Sequence, residues 1–398
     1  MKPRIAIVTI RCHEKLVGGA EALAWQYAGL LTGDFAVEIL TSSAFDYTHW
    51  KNDLAVGEED RDGILIRRFK VVRGRTAYFH GLHQLMLDAF AQRKETSSRL
   101  HYGWPEALEE EFIHAQGPNC PDLLTHLREH GDGYAAVFFL PYLYPMILDG
   151  IRAMPHRRWA LIPALHDEPP AYLETFAHMG RSAPRILWNT LAEKRLGARI
   201  WNLEGGNVVS MTVAVEPAAA AVEEKPYLLY CGRIDVSKGC AALLEGFDAY
   251  KRANPRSPLQ LVLTGNDVLG VGKRRDVRYL GFVDEQRKFE LMAGAVAFVQ
   301  PSPYESLSIV LLEAMAQRAP VIVNGQCEVL VDHVHESQSG YVYRNQGEFI
   351  DAVSRVLVLG SGARAEQGAK AREYVLKNYS EAQVSARLRA EVDALLAL

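Results

Sequence analysis

Residues 300–316 read QPSPYESLSIVLLEAMA. A predicted buried strand, Ala295–Gln300, leads through two prolines into an almost wholly apolar helix, which must be buried. Glu313, in the second turn of that helix, is therefore a carboxylate where charges are rare unless paired, and Glu305 lies in the loop before it. The alternative is that both glutamates only cap backbone groups or pair with arginines. Because the first N–H groups of a helix have no intrahelical partner, we expect an anion site at Leu307, Ser308 and Ile309.

Short apolar runs alternate with helical patterns along the rest of the chain, which is typical of parallel sheets covered by helices on both faces. Two such sets in 398 residues predict an α/β protein with two doubly wound Rossmann-like domains facing a central cleft. The predicted strands are Ile5–Ile10, Val37–Leu40, Ile64–Ile66, Ala135–Leu140, Trp159–Leu165 and Arg185–Trp188, followed by Tyr227–Cys231, Leu259–Thr264, Val277–Leu280, Ala295–Gln300 and Pro320–Val323.

The predicted boundary between the domains falls at residues 216–225, in a stretch with proline near both ends and few residues that could pack. We assign residues 1–216 to the first domain and 217–378 to the second. The remaining residues, 379–398, are predicted to form a helix with Val384, Leu388, Val392 and Leu395 on one face.

Composition excludes several classes of protein. The formal net charge is −4, so no global basic field would draw the chain to nucleic acid. The five cysteines are scattered and form no C-x-x-C pair, which suits a reducing cytoplasm. The apolar run Ile5–Ile10 is too short for a signal peptide. The later apolar stretch Tyr134–Ile151 contains prolines and Asp149, so we do not expect it to span a membrane. Six histidines between residues 67 and 134 have no metal-site spacing, so we expect no metal site there: His80, His83, His101, His114, His126 and His130.

A second loop carries cations at the end of the first strand of the second domain. Residues 230–239 read YCGRIDVSKG. Gly232 and Gly239 permit tight backbone, and Arg233 and Lys238 place two positive charges in one strand-to-helix loop. Such a pair suits a diphosphate, whose charge grows as it leaves.

Together these motifs resemble the retaining glycosyltransferases of family 4, which have the GT-B fold. The G-R-x-(4)-K-G loop precedes P-S-x-x-E-S and E-A-M-A in the order that the family shows, and Pro320-Val321-Ile322 follows. Three further segments resemble the family: Gly18-Gly19-Ala20-Glu21 after the first strand, His166-Asp167, and Arg278–Val283 beside the nucleobase pocket.

The resemblance implies a role for each matching residue. Glu313 would accept hydrogen bonds from ribose hydroxyls, and Glu305 would contact hydroxyls of the donor sugar. Arg233 and Lys238 would neutralise the leaving diphosphate, helped by the Gly232 loop and the N–H groups of Leu307, Ser308 and Ile309. The backbone at Gly18 and Gly19 would approach the phosphates, and His166 would touch the donor sugar near the reacting carbon.

Other interpretations stay open for the first domain. Gly18-Gly19 is compatible with an ordinary turn, and His166 with a helix entry. The sequence also departs from the family pattern, which usually has glycine at the positions of Ser308 and Arg318 and a glycine-rich loop at 324–328. These departures concern the loops near the donor sugar, and so the choice of donor.

The resemblance implies an enzyme that transfers a hexose-type sugar from a nucleotide diphosphate-sugar to an acceptor hydroxyl with retention, without metal or other cofactor, in synthesis of cell-surface polysaccharide or glycoconjugate. The first domain would be the acceptor side, and the last helix would cross back to it. The acceptor would be lipid-linked or an oligosaccharide. A nucleotide-sugar epimerase, a phosphorylase and a catalytically silent sugar-nucleotide-binding subunit are the alternatives.

A basic stretch bears on the location of the protein. Arg67, Arg68, Lys70, Arg73 and Arg75 suit either peripheral contact with the inner face of a membrane or a solvated charged segment, which we favour.

Overall fold

A computed structural model describes residues 2–16, 18–92 and 102–398. Its described strands, named β1 to β14 in chain order, are β1 Arg4–Thr9, β2 Ala36–Ser42, β3 Gly57–Arg61, β4 Ile64–Phe69, β5 Ala136–Leu140, β6 Trp159–Leu161, β7 Arg185–Trp188, β8 Asn207–Val208, β9 Tyr227–Cys231, β10 Gln260–Thr264, β11 Val277–Tyr279, β12 Ala297–Gln300, β13 Val321–Asn324 and β14 Tyr341–Tyr343.

The helices of the same ranges are α1 Gly19–Leu31, α2 Phe79–Ala91, α3 Glu106–Gln116, α4 Pro121–His130, α5 Pro145–Arg152, α6 Glu174–Ser182, α7 Leu191–Trp201, α8 Cys240–Ala253, α9 Glu285–Gly294, α10 Ile309–Ala316, α11 Glu328–Ser337, α12 Gln346–Leu357, α13 Ser361–Tyr379 and α14 Glu381–Leu396.

The chain forms two compact units. The first comprises Met1–Met211 and Val384–Leu398, and the second Thr212–Gln383. The observed division therefore lies a few residues before the predicted one at 216–217. Tyr379 ends α13 rather than beginning the last helix, because α14 starts at Glu381. The predicted apolar face of α14 is buried, and the residues from Val384 onward belong to the first unit.

In the first unit the strand order is β3-β4-β2-β1-β5-β6-β7-β8. All neighbouring pairs are parallel except β3 with β4. Ile7 and Phe138, which are paired in register on β1 and β5, are both fully buried. This burial on both faces is the physical reason for the unbroken apolar runs in the sequence.

The second unit has the strand order β11-β10-β9-β12-β13-β14, with every pair parallel. Leu229 of β9 and Phe298 of β12 are in register and fully buried. The carboxyl ends of β9 and β12 therefore lie side by side, and this places the two predicted loops next to each other.

Each of the predicted strands is present, with ends that shift by a few residues. The strands β3, β8 and β14 were not predicted from the sequence. β3 reads GEEDR, and its antiparallel pairing with β4 is accompanied by an ion pair between Glu59 and Arg68, 2.6 Å apart. No apolar alternation marks such a strand, because its side chains lie at least partly exposed at an edge of the sheet.

Candidate functional site

The loop after β9 holds the two predicted cations. Lys238 Nζ donates a hydrogen bond to Glu305 Oε1 at 2.8 Å, which joins this loop to the one before α10. Arg233 pairs with Asp235, whose Oδ1 also accepts from Lys238 N at 2.8 Å. Burial alone would raise the pKa of Asp235, but hydrogen bonds from Ser237 and Lys238 and the Arg233 charge outweigh it and lower the pKa. Asp235 is thus a fixed anion that orders the loop.

Glycine is required where the two loops touch. Gly239 has φ 74° and precedes α8. A Cβ at this position would lie 2.2 Å from the carbonyl oxygen of Pro301, far inside van der Waals contact. Asn324 Nδ2 donates to the same carbonyl at 2.9 Å. The Pro301 carbonyl therefore lies directly against Gly239 and accepts a hydrogen bond from Asn324. Asn324 belongs to the 324–328 loop, which departs from the family pattern.

Ser308, the N-cap residue immediately before α10, has a left-handed conformation. Its φ is 66°, and its Oγ accepts from Gln300 Nε2 at 2.7 Å. Ser308 makes no side-chain cap hydrogen bond to its own helix. Arg318, just beyond the end of α10, has φ 63°. Both positions at which the resembled family usually has glycine thus adopt the left-handed conformation that glycine favours, although their side chains differ from glycine.

His333 forms a hydrogen bond with the turn before α10. Its Nε2 lies 2.8 Å from the carbonyl oxygen of Leu307, and its Nδ1 lies 2.9 Å from the hydroxyl of Tyr374. Because a carbonyl only accepts, Nε2 carries the proton and Nδ1 accepts from Tyr374. Burial lowers the pKa of His333 to about 4, so the imidazole is neutral. Ile309 follows directly as the first residue of α10.

Glu313 is buried in the second turn of α10, as predicted, with 6% of the residue exposed. Lys288 Nζ, from α9, donates to its Oε1 at 2.8 Å. The other oxygen, Oε2, is buried and has no hydrogen-bond partner among the described residues. A buried acceptor without a donor is costly, and a ligand hydroxyl would remove that cost.

Three further predicted residues belong to the first unit. A Cβ on Gly18 would lie 2.2 Å from Glu21 Oε2, whereas a Cβ on Gly19 would meet nothing within 4 Å. Glu21 forms a buried ion pair with Arg11, whose Nη1 donates to the Phe45 carbonyl at 2.9 Å. Gly18 therefore makes room for a carboxylate of its own helix, while Gly19 has open space.

His166 follows a backbone segment that Glu193 holds in place. Glu193 Oε1 accepts from Leu165 N at 2.7 Å, and its Oε2 accepts from Asn189 N at 2.5 Å. Burial raises the pKa of Glu193 to about 7 despite these bonds. His166 Nδ1 lies 3.8 Å from Glu168 Oε1, and the His166 side chain is 32% exposed. His166 thus follows a fixed backbone segment, and its side chain is partly exposed.

Sequence reasoning missed Lys288, His333, Arg11 and Glu193. Thr190-x-x-Glu193 is a capping-box pattern, and Thr190 Oγ1 does accept from Glu193 N at 3.0 Å. Arg11 directly follows a buried strand, which is another usable signal. Nothing in the sequence marks Lys288 or His333, because each meets its partner only through helix packing.

The predicted basic stretch is largely neutralised. Arg67 pairs with Glu58, Arg68 with Glu59 at 2.6 Å, and Arg73 with Glu111 at 3.1 Å. These pairs favour the solvated charged segment over a membrane surface, because a paired arginine offers little charge to a lipid head group.

The described residues contain neither a cluster of metal-ligating side chains nor a membrane-spanning helix. Within residues 2–16, 18–92 and 102–398, no group of three or more His, Cys, Asp or Glu side chains could hold a metal ion. His101 lies outside those ranges. No helix in them is long and apolar enough to span a bilayer.

The second unit, whose geometry carries most of the candidate site, matches a known family. Residues 225–358 match the family model described as glycosyl transferases group 1. This matched segment lies wholly within the second unit. The resemblance drawn from the loop motifs is thereby confirmed at the level of the family, over the segment that contains Arg233, Lys238, Glu305 and Glu313.

Curated relatives agree with the group 1 assignment. An uncharacterized glycosyltransferase of Methanocaldococcus jannaschii is 32% identical over 145 residues, which cover 34% of this chain and 36% of that protein. The alpha-D-kanosaminyltransferase of Streptomyces kanamyceticus is 30% identical over 151 residues, 34% of this chain and 37% of that protein. The chain thus spans well under half the length of these relatives.

Solved structures match the chain over nearly its whole length and show its fold. Sucrose-phosphate synthase from Thermosynechococcus elongatus has a TM-score of 0.68 at 18% identity, covering 100% of both chains. An Anabaena protein in complex with UDP and glucose has a TM-score of 0.67 at 13% identity, covering 98% of this chain and 100% of that one. The predicted GT-B fold with two Rossmann-like domains is confirmed.

Proposed function

We propose that this protein is a glycosyltransferase that moves a hexose-type sugar from a nucleotide diphosphate-sugar to an acceptor hydroxyl with retention of configuration. One observation carries the proposal: the loop with Arg233 and Lys238 is joined to the Glu305 loop by a 2.8 Å hydrogen bond, within a group 1 glycosyl transferase domain. This hydrogen bond supports the proposal that the two cations, Glu305 and the N-terminus of α10 act together on one donor.

The diphosphate would bind where charge can be neutralised. Arg233 and Lys238 supply two positive charges, and the α10 terminus at Leu307, Ser308 and Ile309 supplies N–H groups. Arg233 forms an ion pair with Asp235 and Lys238 one with Glu305, and the Arg233 side chain remains 42% exposed. An arriving diphosphate would share or replace those carboxylates. Glu305 would then be free to accept from hydroxyls of the donor sugar.

We propose front-side displacement as the chemical step. The bond from the anomeric carbon to the phosphate oxygen breaks, and its electron pair stays on the leaving diphosphate. The acceptor oxygen bonds to the anomeric carbon from the same face, and its proton passes to a phosphate oxygen. Such a step needs positioning and charge stabilisation more than a protein base, and this is what two cations and a helix tip supply.

A thermal-shift screen is the first experiment, because a ligand that binds the native state raises its apparent stability. UDP, GDP, ADP, CDP and TDP would be compared with inorganic phosphate. We expect one nucleoside diphosphate to stabilise the protein, and phosphate alone to have little effect. Stabilisation by none of the nucleotides would contradict the proposal.

Product analysis separates transfer from its alternatives. An epimerase would convert the nucleotide-sugar without an acceptor, a phosphorylase would need phosphate, and a silent subunit would bind without turnover. We expect slow hydrolysis of the donor, with release of nucleoside diphosphate and a sugar of retained anomeric configuration. The acceptor is proposed to be a lipid-linked sugar or an oligosaccharide of cell-surface polysaccharide or glycoconjugate synthesis.

All five cysteines are free and buried. Unpaired thiols support the proposed cytoplasmic location, because a reducing compartment keeps them so. Peripheral contact with a membrane stays the weaker proposal, given the ion pairs of the basic stretch.

A further inference from the structure

We propose that Lys288 is a positioning residue for nucleotide binding, which keeps Glu313 charged and aimed so that its second oxygen can accept a hydrogen bond from the ribose of a nucleoside diphosphate. This inference rests on the proposed function, and it concerns a residue that no motif marks. The two oxygens of the Glu313 carboxylate have different surroundings.

Oε1 of Glu313 is satisfied and Oε2 is not. Lys288 Nζ donates to Oε1 at 2.8 Å, whereas the buried Oε2 has no hydrogen-bond partner among the described residues. The Glu313 side chain is 8% exposed, so bulk water is not an adequate substitute. A carboxylate bonded on one oxygen and unsatisfied on the other is prepared for one more donor. A ribose hydroxyl is such a donor.

The surroundings of Glu313 disfavour its charged form, and Lys288 counteracts them. Burial raises its pKa, the nearby Glu285 raises it further, and Lys288 opposes both. Lys288 Nζ itself lies 2.8 Å from Glu313, 4.0 Å from Glu285 and 4.6 Å from the centroid of the Phe289 ring. Lys288 is therefore held between an aromatic face and two carboxylates, and its charge is directed at Glu313.

The other groups around Glu313 do not take over this task. Cys231 of β9 is buried with a raised pKa, so it is a neutral thiol near pH 7. From α13, Arg372 Nη1 donates to the Ala316 carbonyl at 2.7 Å, at the far end of α10. Lys288 is thus the cation that bonds the Glu313 side chain in the described part of the unit.

The ribose preference of nucleotide binding tests the inference. The affinities of UDP, or of the ribonucleoside diphosphate selected by the thermal-shift screen, and of its 2′,3′-dideoxy analogue would be measured by calorimetry from about pH 6 to pH 9. In the unsubstituted protein we expect the ribonucleotide to bind about tenfold or more tightly, on the scale of one hydrogen bond to a charged group.

Substitutions of Lys288 should change that preference with pH. In Lys288→Met the preference should be lost near pH 7 and return as pH rises, because Glu313 with a further raised pKa ionises only at higher pH. Lys288→Arg should retain it, and Glu313→Gln should lose it at every pH. Lys251→Met is the matched control, since Lys251 forms an ion pair of the same length, 2.8 Å, with Asp276 in the same unit.

The outcomes separate the inference from the function on which it rests. An unchanged ribose preference in Lys288→Met at every pH would overturn the role of Lys288 alone. Absence of any preference in the unsubstituted protein would overturn ribose binding by Glu313. Absence of binding by every nucleoside diphosphate would contradict the proposed function itself. If Lys288→Met loses the ribose preference and Lys288→Arg retains it, the loss reflects the missing charge rather than general unfolding.

Discussion

Lys238 and Glu305 lie 67 residues apart in the chain, yet the lysine Nζ and the glutamate Oε1 are 2.8 Å apart. The contact joins the carboxyl ends of two adjacent strands, β9 and β12. It therefore brings the predicted cation loop and the loop that contains Glu305 into direct contact.

Replacing Lys238 with Met should lower turnover by roughly 10²- to 10³-fold, on the scale of losing one preorganised charge-stabilising donor. Arg233→Ala should act similarly. Steady-state rates of nucleoside diphosphate release provide the measurement. Lys251→Met is the control, because Lys251 bonds the Ser257 and Leu259 carbonyls at the amino end of β10, whereas the candidate site lies at the carboxyl ends of β9 and β12. Normal rates in both site variants would remove the charge-stabilisation account.

Gly19→Ala tests the role that the family resemblance gives to the glycine loop. A Cβ at Gly19 meets nothing within 4 Å, so the folded protein should tolerate it without loss of stability. If the backbone at Gly19 approaches the donor, turnover should nevertheless fall by roughly tenfold through steric exclusion.

Gly29→Ala is the matched substitution for that experiment, since Gly29 is an exposed residue of the same helix with equally open space. It should raise stability by about 0.5–1 kcal/mol and leave turnover unchanged. Equal activities of the two variants would show that Gly19 only forms a turn.

The left-handed backbone at Arg318 predicts a stabilising substitution. Arg318 is exposed and has φ 63°, which costs a non-glycine residue about 1 kcal/mol. Arg318→Gly should therefore raise the urea midpoint of unfolding.

Gly368→Ala should lower the same midpoint, because its Cβ would lie 2.7 Å from the Arg318 carbonyl oxygen. Gly362→Ala, at an exposed and open position of the same helix, is the control and should be neutral or slightly stabilising. A lowered midpoint in Arg318→Gly would contradict the assigned strain.

His333 predicts a dependence of stability on pH. Burial lowers its pKa to about 4, below the ordinary value of 6.5, so folding favours the neutral ring. The contribution of neutral His333 to the free energy of unfolding is fully present above pH 6.5 and is lost as pH falls from 6.5 towards 4. The loss should approach about 3 kcal/mol.

Urea unfolding of His333→Gln should show a flatter dependence on pH in that window than the unsubstituted protein. His335→Gln, at an exposed position of the same helix, should leave the dependence unchanged. Identical curves for all three proteins would mean that His333 titrates normally.

Metal independence stays a prediction that chelation can test. Because Arg233 and Lys238 would supply the charge that a divalent ion supplies elsewhere, turnover should persist in excess EDTA. Loss of activity in EDTA that Mg²⁺ or Mn²⁺ restores would mean that these cations are insufficient.

Much of the fold was predictable because its signals are local. Buried parallel strands need continuous apolar runs, and each run from Ile5–Ile10 to Pro320–Val323 does contain a strand. β3 was missed because an exposed, charged edge strand leaves no apolar pattern. The Gly239 loop was recognisable because close backbone contact with Pro301 leaves room for no other residue.

The sequence by itself determined the parallel sheets and the order of cations and carboxylates along the second unit. Apolar periodicity and loop composition act over a few residues, so they can be read directly. Only the tertiary structure decided that Lys288 meets Glu313 and that His333 fastens Leu307, 25 and 26 residues away. Those contacts depend on which helix faces pack together, and packing is set by the whole core rather than by any short pattern.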